Sequence, residues 1–354
     1  MAYTILATGN EAVGWGAIHS SCKFFAGYPI TPQNEIPEFM SRKLPKVGGV
    51  FIQSEDEGAA SNMVYGASIA GVRAMTSTSS PGFSLMQEAI SAMAVLELPA
   101  VIVNVSRNGP GWGTTQTGQQ DYRQATKGGG HGGYRCIILA PASVQETFDL
   151  MQLAFYLADK YRMVVMLLTD ALVGQMTEPL ELGILDFGPL PEKDWALIGS
   201  AQRGGWRYLC IPVAFDLVGY CRRAAEKYQK VADSEKRYET HMTDKAQLLL
   251  VAYGSTARAC KGAIDMAHAE GLKLGLFRPI PLWPFPNQAI KQQASQVGKV
   301  LVVEDSEGQL VEDVELAIEG QAQVNLLGIW ARHQVTGSGV IHPERILQEV
   351  KTLL

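Results

Sequence analysis

The sequence predicts an α/β protein with two mainly parallel sheets, each covered by helices. Short apolar runs alternate with helical segments up to about residue 178, and the same alternation resumes from residue 245 to residue 354. The apolar runs are continuous, which is typical of strands that are covered on both faces. A chain of 354 residues fits about two domains of roughly 100 to 200 residues each.

Residues 1–178 are predicted to form the first domain. Uninterrupted apolar runs indicate strands at Val50–Gln53, Val72–Thr76, Ala100–Val105, Cys136–Ala140 and Val164–Leu168. Helical spacing indicates helices at Asn10–Phe24, Glu55–Ala70, Phe83–Leu96 and Ser143–Lys160. Their alternation along the chain predicts a parallel sheet.

Residues 179–244 are predicted to be a linker, because prolines and glycines interrupt the alternation there. A charged amphipathic helix is expected at Leu217–Tyr238, docked on the surface. Residues 245–354 are predicted to form a smaller doubly wound domain. Its strands are expected at Gln247–Ala252, Leu272–Phe277, Val300–Val303 and Val324–Ile329, and its helices at Thr256–Glu270, Gln288–Gln296, Leu310–Ile318 and Pro343–Leu353.

Composition argues against several classes of protein. The net charge of -5 provides no basic field for a phosphate backbone, so we expect no nucleic-acid partner. No apolar run approaches the roughly 18 to 20 residues that span a bilayer, and the start of the chain does not resemble a signal peptide. We therefore expect a cytoplasmic protein with no membrane partner.

Familiar catalytic and metal-binding motifs are missing. The sequence contains no phosphate loop, no GxGxxG between a strand and a helix, no GxSxG and no HExxH. The five cysteines are too scattered for a zinc site or for a complete iron–sulfur ligand set in this chain, and we expect buried free thiols. We predict no metal ligands here.

Two segments, one after an apolar helix and one after a predicted strand, are candidates for chemistry. Gly27–Pro32 holds Thr31 between two prolines, which makes a stiff loop suited to ligand contact, although a simple turn is the alternative. Ser54-Glu55-Asp56-Glu57 opens a helix. Ser54 and Glu57 fit a capping box, which is a structural role. The alternative is a partly desolvated carboxylate with a raised pKa at the sheet edge.

Two further segments also follow predicted strands. Ser77–Gly82 is a hydroxyl-rich turn that either lets a ligand approach the backbone or caps a helix. Arg107 ends a buried strand and has the forked geometry to hold a carboxylate, although a surface arginine is commoner. It opens a glycine-rich loop that reaches Gly133, and loops of more than about 15 residues are usually functional or disordered.

At these residues the sequence resembles the alpha subunit of the 2-oxoacid:ferredoxin oxidoreductases, thiamine-diphosphate enzymes that oxidise 2-oxo acids to acyl-CoA. It is most similar to the branched-chain (3-methyl-2-oxobutanoate) type. The resemblance implies a pyrimidine-type thiamine-diphosphate-binding domain, followed by a transketolase C-terminal-like domain. The matching segments are Gly9–Ala12, Gly27–Gln33, Asn62–Ala67, Gly82–Glu88, Gly128–Gly132 and Arg278–Pro286.

The resemblance also implies roles for individual residues. The family glutamate lies nine residues before the glycine of Tyr65-Gly66-Ala67, so Glu57 rather than Glu55 would be catalytic and would bond the aminopyrimidine ring. Thr31 would lie beside both substrate and cofactor, and Arg107 would bind the substrate carboxylate. Further cofactor contacts are expected from Tyr28, Pro29, Ser79 and Ser80.

The chain contains no Gly-Asp dipeptide and therefore lacks the GDG motif that anchors magnesium and the diphosphate. The resemblance accordingly implies that a beta subunit carries the magnesium and diphosphate site. It implies further gamma and iron–sulfur delta subunits, coenzyme A as co-substrate, ferredoxin as electron acceptor, and a dimer of heteromers. This chain would then contribute one half of an active site.

Several alternatives stay open at this point. The substrate could be 2-oxoglutarate, pyruvate or an aryl oxo acid instead of a branched-chain oxo acid. The chain could belong to a thiamine-dependent decarboxylase or transketolase that passes no electrons. It could also be a non-catalytic scaffold that has kept the fold.

Overall fold

The computed structural model describes residues 3–199, 214–329 and 340–354. Within these ranges the chain forms a seven-stranded sheet, a five-stranded sheet and a two-stranded ribbon. Helices separate most of the parallel strands in the chain. The predicted α/β class is therefore confirmed.

The first sheet is parallel except at one edge. Only its edge strand Pro281–Trp283 runs antiparallel, and it pairs with Ile137–Leu139. This edge strand comes from the C-terminal half of the chain, so the first sheet is completed by a late segment. In spatial order the strands are β12 (Pro281–Trp283), β6 (Ile137–Leu139), β7 (Val164–Asp170), β5 (Ala100–Ser106), β4 (Ala74–Thr78), β2 (Phe24–Gly27) and β3 (Val50–Gln53).

Helices cover both faces of this sheet. The helix predicted at Asn10–Phe24 ends at His19, because Ser21 adopts a left-handed conformation with φ of 57° and the chain then enters β2. The helix predicted at Phe83–Leu96 is two helices that meet at Met86. The helices are α1 (Gly9–His19), α2 (Glu35–Lys43), α3 (Glu57–Ile69), α4 (Ser80–Leu85), α5 (Gln87–Val95), α6 (Tyr122–Lys127), α7 (Val144–Tyr161) and α8 (Ala171–Gln175), with a 3₁₀ turn at Pro45–Val47.

The second sheet contains four parallel strands and one antiparallel edge strand. Its order is β14 (Gln323–Leu327), β13 (Lys299–Val303), β10 (Leu248–Val251), β11 (Leu274–Pro279) and β9 (Tyr238–His241). Its helices and the one preceding it are α9 (Leu217–Ser234), α10 (Gly254–Ala269), α11 (Asn287–Val297), α12 (Leu310–Ile318) and α13 (Pro343–Leu353). The bounds predicted for β3, α12 and α13 are confirmed.

The amphipathic helix α9 is shorter than predicted. It ends at Ser234, and Tyr238 begins strand β9 instead of ending the helix. The Tyr238 ring stacks on Phe277 at 5.1 Å, so pairing with β11 covers an aromatic surface that a longer helix would leave unpaired. The predicted domain boundaries, with a linker at 179–244, stay a prediction.

The apolar core is continuous between the two sheets. Successive side chains of β5 point to opposite faces, so Val101 and Val103 join one buried cluster while Ile102 joins the other. The cluster around Ile102 also contains Val251 and Val302 of the second sheet. Burial of apolar surface therefore holds the two sheets together as well as each sheet separately.

A third element is an antiparallel ribbon in which β1 (Tyr3–Thr8) pairs with β8 (Thr177–Leu182). The described helices include none that is both long and apolar enough to cross a membrane. Of the cysteines predicted to be buried free thiols, Cys22, Cys136 and Cys260 are buried, but Cys221 is exposed. Cys210 lies outside the described residues.

Arg278 fastens the second sheet to the first. It lies on β11, is 5% exposed, and makes a forked pair with Glu146 on α7, with Nη1–Oε2 and Nη2–Oε1 distances of 2.9 and 2.7 Å. Its Nε donates to Glu239 at 2.8 Å. Because removing one partner of a buried ion pair costs roughly 3–5 kcal/mol, this arginine is expected to be intolerant of substitution.

Two aspartates lie where the sheets meet. The Asp170 carboxylate, at the end of β7, accepts hydrogen bonds from the Ser255 hydroxyl at 2.6 Å and from the Val173 amide at 3.0 Å. Asp305 follows β13 and is 2% exposed, and its Oδ1 has no hydrogen-bond partner in the described parts of the chain. Burial, reinforced by the charge of Asp170, raises the pKa of Asp305 to about 8.

The raised pKa of Asp305 predicts a pH dependence of stability. Between about pH 4, its ordinary value, and about pH 8, the native state holds a proton that the unfolded chain has released. Stability from this group is therefore fully present at low pH and declines as the pH rises through that window. Asp305→Asn should unfold at a progressively higher temperature than the parent protein as the pH rises from 5 to 8.

Thermal unfolding at several pH values measures this difference. Asp265→Asn, an exposed substitution on α10, is the matched control and should follow the parent protein at every pH. A constant offset between Asp305→Asn and the parent protein would show that Asp305 is ionised in the native state.

Candidate functional site

Four neighbouring parallel strands of the first sheet end at the same edge, and every predicted site residue follows one of them. The adjacent strands are β5, β4, β2 and β3. In parallel sheets the carboxyl ends of the strands form the crevice where ligands bind. The residues that follow the strands are Tyr28, Pro29 and Thr31 after β2, Glu57 after β3, Ser79 and Ser80 after β4, and Arg107 after β5.

Glu57 is buried at the first turn of α3, with 5% exposure. The capping-box interpretation is wrong, because Asp56 caps the helix by accepting from the Ala59 amide at 2.6 Å. Ser54 Oγ donates to the Asp56 carbonyl oxygen at 2.8 Å, whereas a capping serine would accept from a helix amide. The Glu57 carboxyl is therefore not used by the cap and is available to a ligand.

Burial is also the main influence on the acidity of Glu57. It raises the pKa of the carboxyl, and the charge of Asp56 adds to the increase, while the residue's own amide and the charge of Arg107 oppose it. A carboxyl with a raised pKa can share a proton with a ligand nitrogen near neutral pH. This property is typical of functional sites.

Gly82 makes room for the Glu57 carboxyl. A Cβ at position 82 would lie 2.4 Å from Glu57 Oε1 and 2.2 Å from Thr78 Oγ1, which no real Cβ tolerates. Only glycine therefore fits at this position in α4 while Glu57 stays where it is. The sequence analysis interpreted Ser77–Gly82 as space for a ligand or as a helix cap, and did not predict that Gly82 accommodates Glu57.

Arg107 is half-buried and joins two loops. Its Nη1 donates to the Thr31 carbonyl oxygen at 2.7 Å, and its Nη2 donates to the Trp112 carbonyl oxygen. Its Nε is buried without a hydrogen-bond partner among the residues that the structure describes. Burial lowers the pKa of this guanidinium. The structure thus brings Thr31 and Arg107 together through the main chain of Thr31.

The serines after β4 differ from each other. Ser79 stands at the N-cap position of α4, but its side chain makes no capping bond, and its buried hydroxyl has no partner within the described ranges. Ser80 Oγ accepts from the Arg107 amide at 3.0 Å and donates to Asp121 at 2.6 Å. A ligand that reaches the sheet edge would satisfy the Ser79 hydroxyl.

Tyr28 and Pro29 are exposed at the rim of the same edge, and Tyr28 has 37% exposure. The Tyr28 carbonyl oxygen accepts from Gln33 Nε2 at 3.1 Å, and Gln33 Oε1 accepts from Ser77 at 2.6 Å. The loop is therefore anchored to β4 beneath it. Gln33 and Ser77 lie within segments that the sequence analysis singled out, but their role in anchoring this loop was not predicted.

The glycine-rich segment Gly128–Gly133 packs closely on α5. The Gly129 amide donates to Gln87 Oε1 at 2.9 Å, and a Cβ on Gly130 would lie 2.4 Å from the Gln87 carbonyl oxygen. With α5 and α9 it lines a cavity of about 1000 Å³. The long loop from Arg107 to Gly133, which contains this segment, includes the short helix α6.

Within the described residues, no three His, Cys, Asp or Glu side chains converge to hold a metal ion. The buried carboxyl, the glycine beside it and the unpartnered Ser79 hydroxyl do fit an aminopyrimidine ring, which offers ring nitrogens and an amino group. These residues could therefore hold that part of thiamine diphosphate.

Two family models match the chain. The one described as "Pyruvate flavodoxin/ferredoxin oxidoreductase, thiamine diP-bdg" covers residues 15–189, and "Pyruvate:ferredoxin oxidoreductase core domain II" covers residues 246–340. The first match defines the class of protein: six of the seven strands of the first sheet lie within a thiamine-diphosphate-binding domain.

Individual relatives refine this class. A ketoisovalerate oxidoreductase subunit VorB from Methanothermobacter marburgensis is 48% identical, over 89% of this chain and 90% of the relative. A 2-oxoglutarate synthase subunit KorA from Methanothermobacter thermautotrophicus is 37% identical, over 97% of this chain and 96% of the relative. The chain belongs to the 2-oxoacid:ferredoxin oxidoreductase family, as its sequence motifs predicted.

Solved structures agree with the fold class. The 2-oxoglutarate:ferredoxin oxidoreductase from Magnetococcus marinus matches with a TM-score of 0.85 and 28% identity, over 99% of this chain. This chain spans 65% of the length of that solved chain. A split-gene transketolase matches in fold alone, with a TM-score of 0.60 and 13% identity over 97% of each chain. The predicted thiamine-diphosphate and transketolase-like fold class is confirmed.

The close approach at Gly82 yields a test of the site's packing. Gly82→Ala should displace the Glu57 carboxyl and lower stability by about 1–3 kcal/mol through overpacking. Gly66→Ala in α3 is the matched control, since a Cβ there meets open space. It should be neutral or stabilising by roughly 0.5–1 kcal/mol. Denaturant unfolding of the purified variants measures both, and equal effects would contradict the packing described here.

Proposed function

We propose that this chain is a catalytic subunit of a 2-oxoacid:ferredoxin oxidoreductase that converts a branched-chain 2-oxo acid to acyl-CoA and passes electrons to ferredoxin. The observation that carries the proposal is the buried Glu57 carboxyl, which is free of the helix cap and lies against Gly82. The preference for a branched-chain substrate rests on the higher identity to ketoisovalerate subunits, at 48% against 37% for 2-oxoglutarate subunits.

Glu57 is proposed to bind the aminopyrimidine ring of thiamine diphosphate. Its raised pKa allows the carboxyl to share a proton with a ring nitrogen, and burial excludes water that would compete for that bond. The bound cofactor supplies the nucleophilic carbon and the electron sink of the reaction. Ser79, Ser80, Tyr28 and Pro29 are proposed to line the cofactor's place at the same edge.

Arg107 and Thr31 are proposed to position the substrate. Arg107 is a half-buried cation whose Nε has no partner among the described groups, so a substrate carboxylate could pair with it. The Thr31 hydroxyl belongs to the loop that Arg107 Nη1 holds. Holding both groups at one strand edge orients the oxo acid beside Glu57.

The remaining cofactors and partners are proposed from the resemblance. A beta subunit would carry magnesium and the diphosphate site, and gamma and iron–sulfur delta subunits would complete a dimer of heteromers. Coenzyme A would be the co-substrate, which the Magnetococcus enzyme binds in its solved structure. Glu57 would then contact the aminopyrimidine ring of a cofactor that is held mainly by the beta subunit.

Glu57→Gln tests the proposal for the cofactor contact. It keeps the size of the side chain but removes the proton-sharing group, so oxo-acid-dependent reduction of ferredoxin by the assembled complex should fall by on the order of a hundredfold or more. Glu55→Gln is the matched control, because Glu55 is exposed two residues away. Similar activities of the two variants would refute the role of Glu57.

A substrate panel tests the branched-chain assignment. The complex should use 3-methyl-2-oxobutanoate with a kcat/KM about tenfold or more above that for 2-oxoglutarate, pyruvate and an aryl oxo acid, since pocket shape discriminates by such factors. A higher kcat/KM for 2-oxoglutarate would favour the function of the 37% identical relatives instead. No oxidation of any 2-oxo acid would exclude the proposed class of reaction.

A further inference from the structure

Three consecutive residues, Gln119, Gln120 and Asp121, join the second sheet to the candidate site, and we term them the connector. Gln119 is 2% exposed and is fully engaged by the second half of the chain. Its side-chain Nε2 donates to the Tyr253 carbonyl oxygen at 3.0 Å, and its Oε1 accepts from the backbone amide of Asp305 at 3.0 Å. Gln119 therefore anchors the connector to the second sheet.

The side chain of Gln120 contacts the loop that follows Arg107. Its Oε1 accepts from the Gly109 amide at 3.0 Å, and its Nε2 donates to Asn108 Oδ1 at 2.7 Å. The same Nε2 lies 3.2 Å from Glu307 Oε1. The two residues that follow Arg107 are thus held in place by the connector.

Asp121 completes the link beneath Arg107. It is 8% exposed, and its Oδ2 accepts from Ser80 Oγ at 2.6 Å and from Asn104 Nδ2 at 2.9 Å. Ser80 in turn accepts from the Arg107 amide. Burial raises the pKa of Asp121, while these hydrogen bonds and the charge of Arg107 lower it.

The environment of the Arg107 guanidinium is unusual for a partly buried cation. Its guanidinium donates to two neutral carbonyl oxygens, and the carboxyl groups that act on its charge are Asp121 and Glu57. A partly buried cation needs a counter-charge. The Asp121 carboxylate accepts hydrogen bonds from Ser80 and Asn104 and acts on the Arg107 guanidinium by charge. Guanidinium N–H donors therefore stay available to an anionic ligand.

From this geometry we infer that Asp121 is a positioning residue for the carboxylate of the 2-oxo acid. It holds Arg107 and Ser80 at the sheet edge, and the connector makes that hold depend on the second sheet. The inference rests on the proposed function of Arg107. Asp121 does not touch the reacting atoms and acts only through Arg107 and Ser80.

Asp121→Asn in the assembled complex tests the inference. It should raise KM for the 2-oxo acid about tenfold, while kcat changes by less than about threefold, because it weakens binding of the carboxylate and not the chemical step. Asp149→Asn is the matched control: burial raises the pKa of this carboxyl too, but it lies on α7 and lines a cavity that Arg278 also lines. It should leave KM unchanged.

A binding measurement separates positioning from general damage. Calorimetry should show that Asp121→Asn weakens a competitive monocarboxylic acid about tenfold, while the corresponding amide, which lacks the charge, binds as it does to the parent complex. The affinity for thiamine diphosphate should stay unchanged. Equal losses for the acid and the amide, or an unchanged KM, would overturn the inference.

Arg107→Met distinguishes failure of the inference from failure of the proposed function. If Arg107→Met leaves KM unchanged, the proposed role of the arginine fails. If it raises KM and Asp121→Asn does not, only the positioning role fails. The double variant should show no further rise in KM beyond Arg107→Met. Should Asp121→Asn not fold, Ser80→Ala replaces it with a smaller rise of about threefold in KM, and no rise would overturn the inference.

Discussion

The structure depends on the parallel pairing of β5, β4, β2 and β3. Parallel pairing places the carboxyl ends of these strands at the same edge, so residues that are far apart in the chain meet there. The stiff loop at Thr31, the acid at Glu57 and the cation at Arg107 meet for this reason. Burial of the apolar faces of the sheet supplies free energy of folding, and the polar residues of the candidate site lie at the edge.

Burying charged groups at the edge of the sheet costs free energy, and neighbouring residues offset that cost. Glu57 is accommodated by a missing side chain at Gly82, and Arg107 by two carbonyl oxygens and the charge of Asp121. Several hydroxyls at this edge stay without partners in the described residues, Ser79 among them. Unpaired buried groups are tolerated where a ligand can satisfy them.

Much of the fold could be predicted from the sequence because long apolar runs and helical spacing are local signals. Val50–Gln53 and Leu310–Ile318 have the predicted bounds for that reason. The edge strand β12 was missed because a three-residue segment that begins with a proline has no period of its own and is defined by pairing with β6. Propensity cannot detect a strand that exists only through its partner.

The residues of the candidate site likewise include some that the sequence could predict and some that it could not. Glu57 and Arg107 follow predicted strands, so a rule about strand ends together with the family motifs could find them. Thr31 follows β2, a strand that the sequence analysis did not predict, and was found from its place between two prolines and from the family motif. Asp121 could not be found, because its hydrogen-bond partners Ser80 and Asn104 are 41 and 17 residues away. Its role is visible only once those strands are placed side by side.

The position of β12 has a consequence for how the protein is made. The seven-stranded sheet needs residues 281–283 at its edge, while its other strands lie between residues 24 and 170. During synthesis the ribosome must therefore extend the chain by more than a hundred residues beyond β7 before β6 acquires its second neighbour, β12. Until then β6 exposes an unpaired edge, and other nascent chains can pair with it.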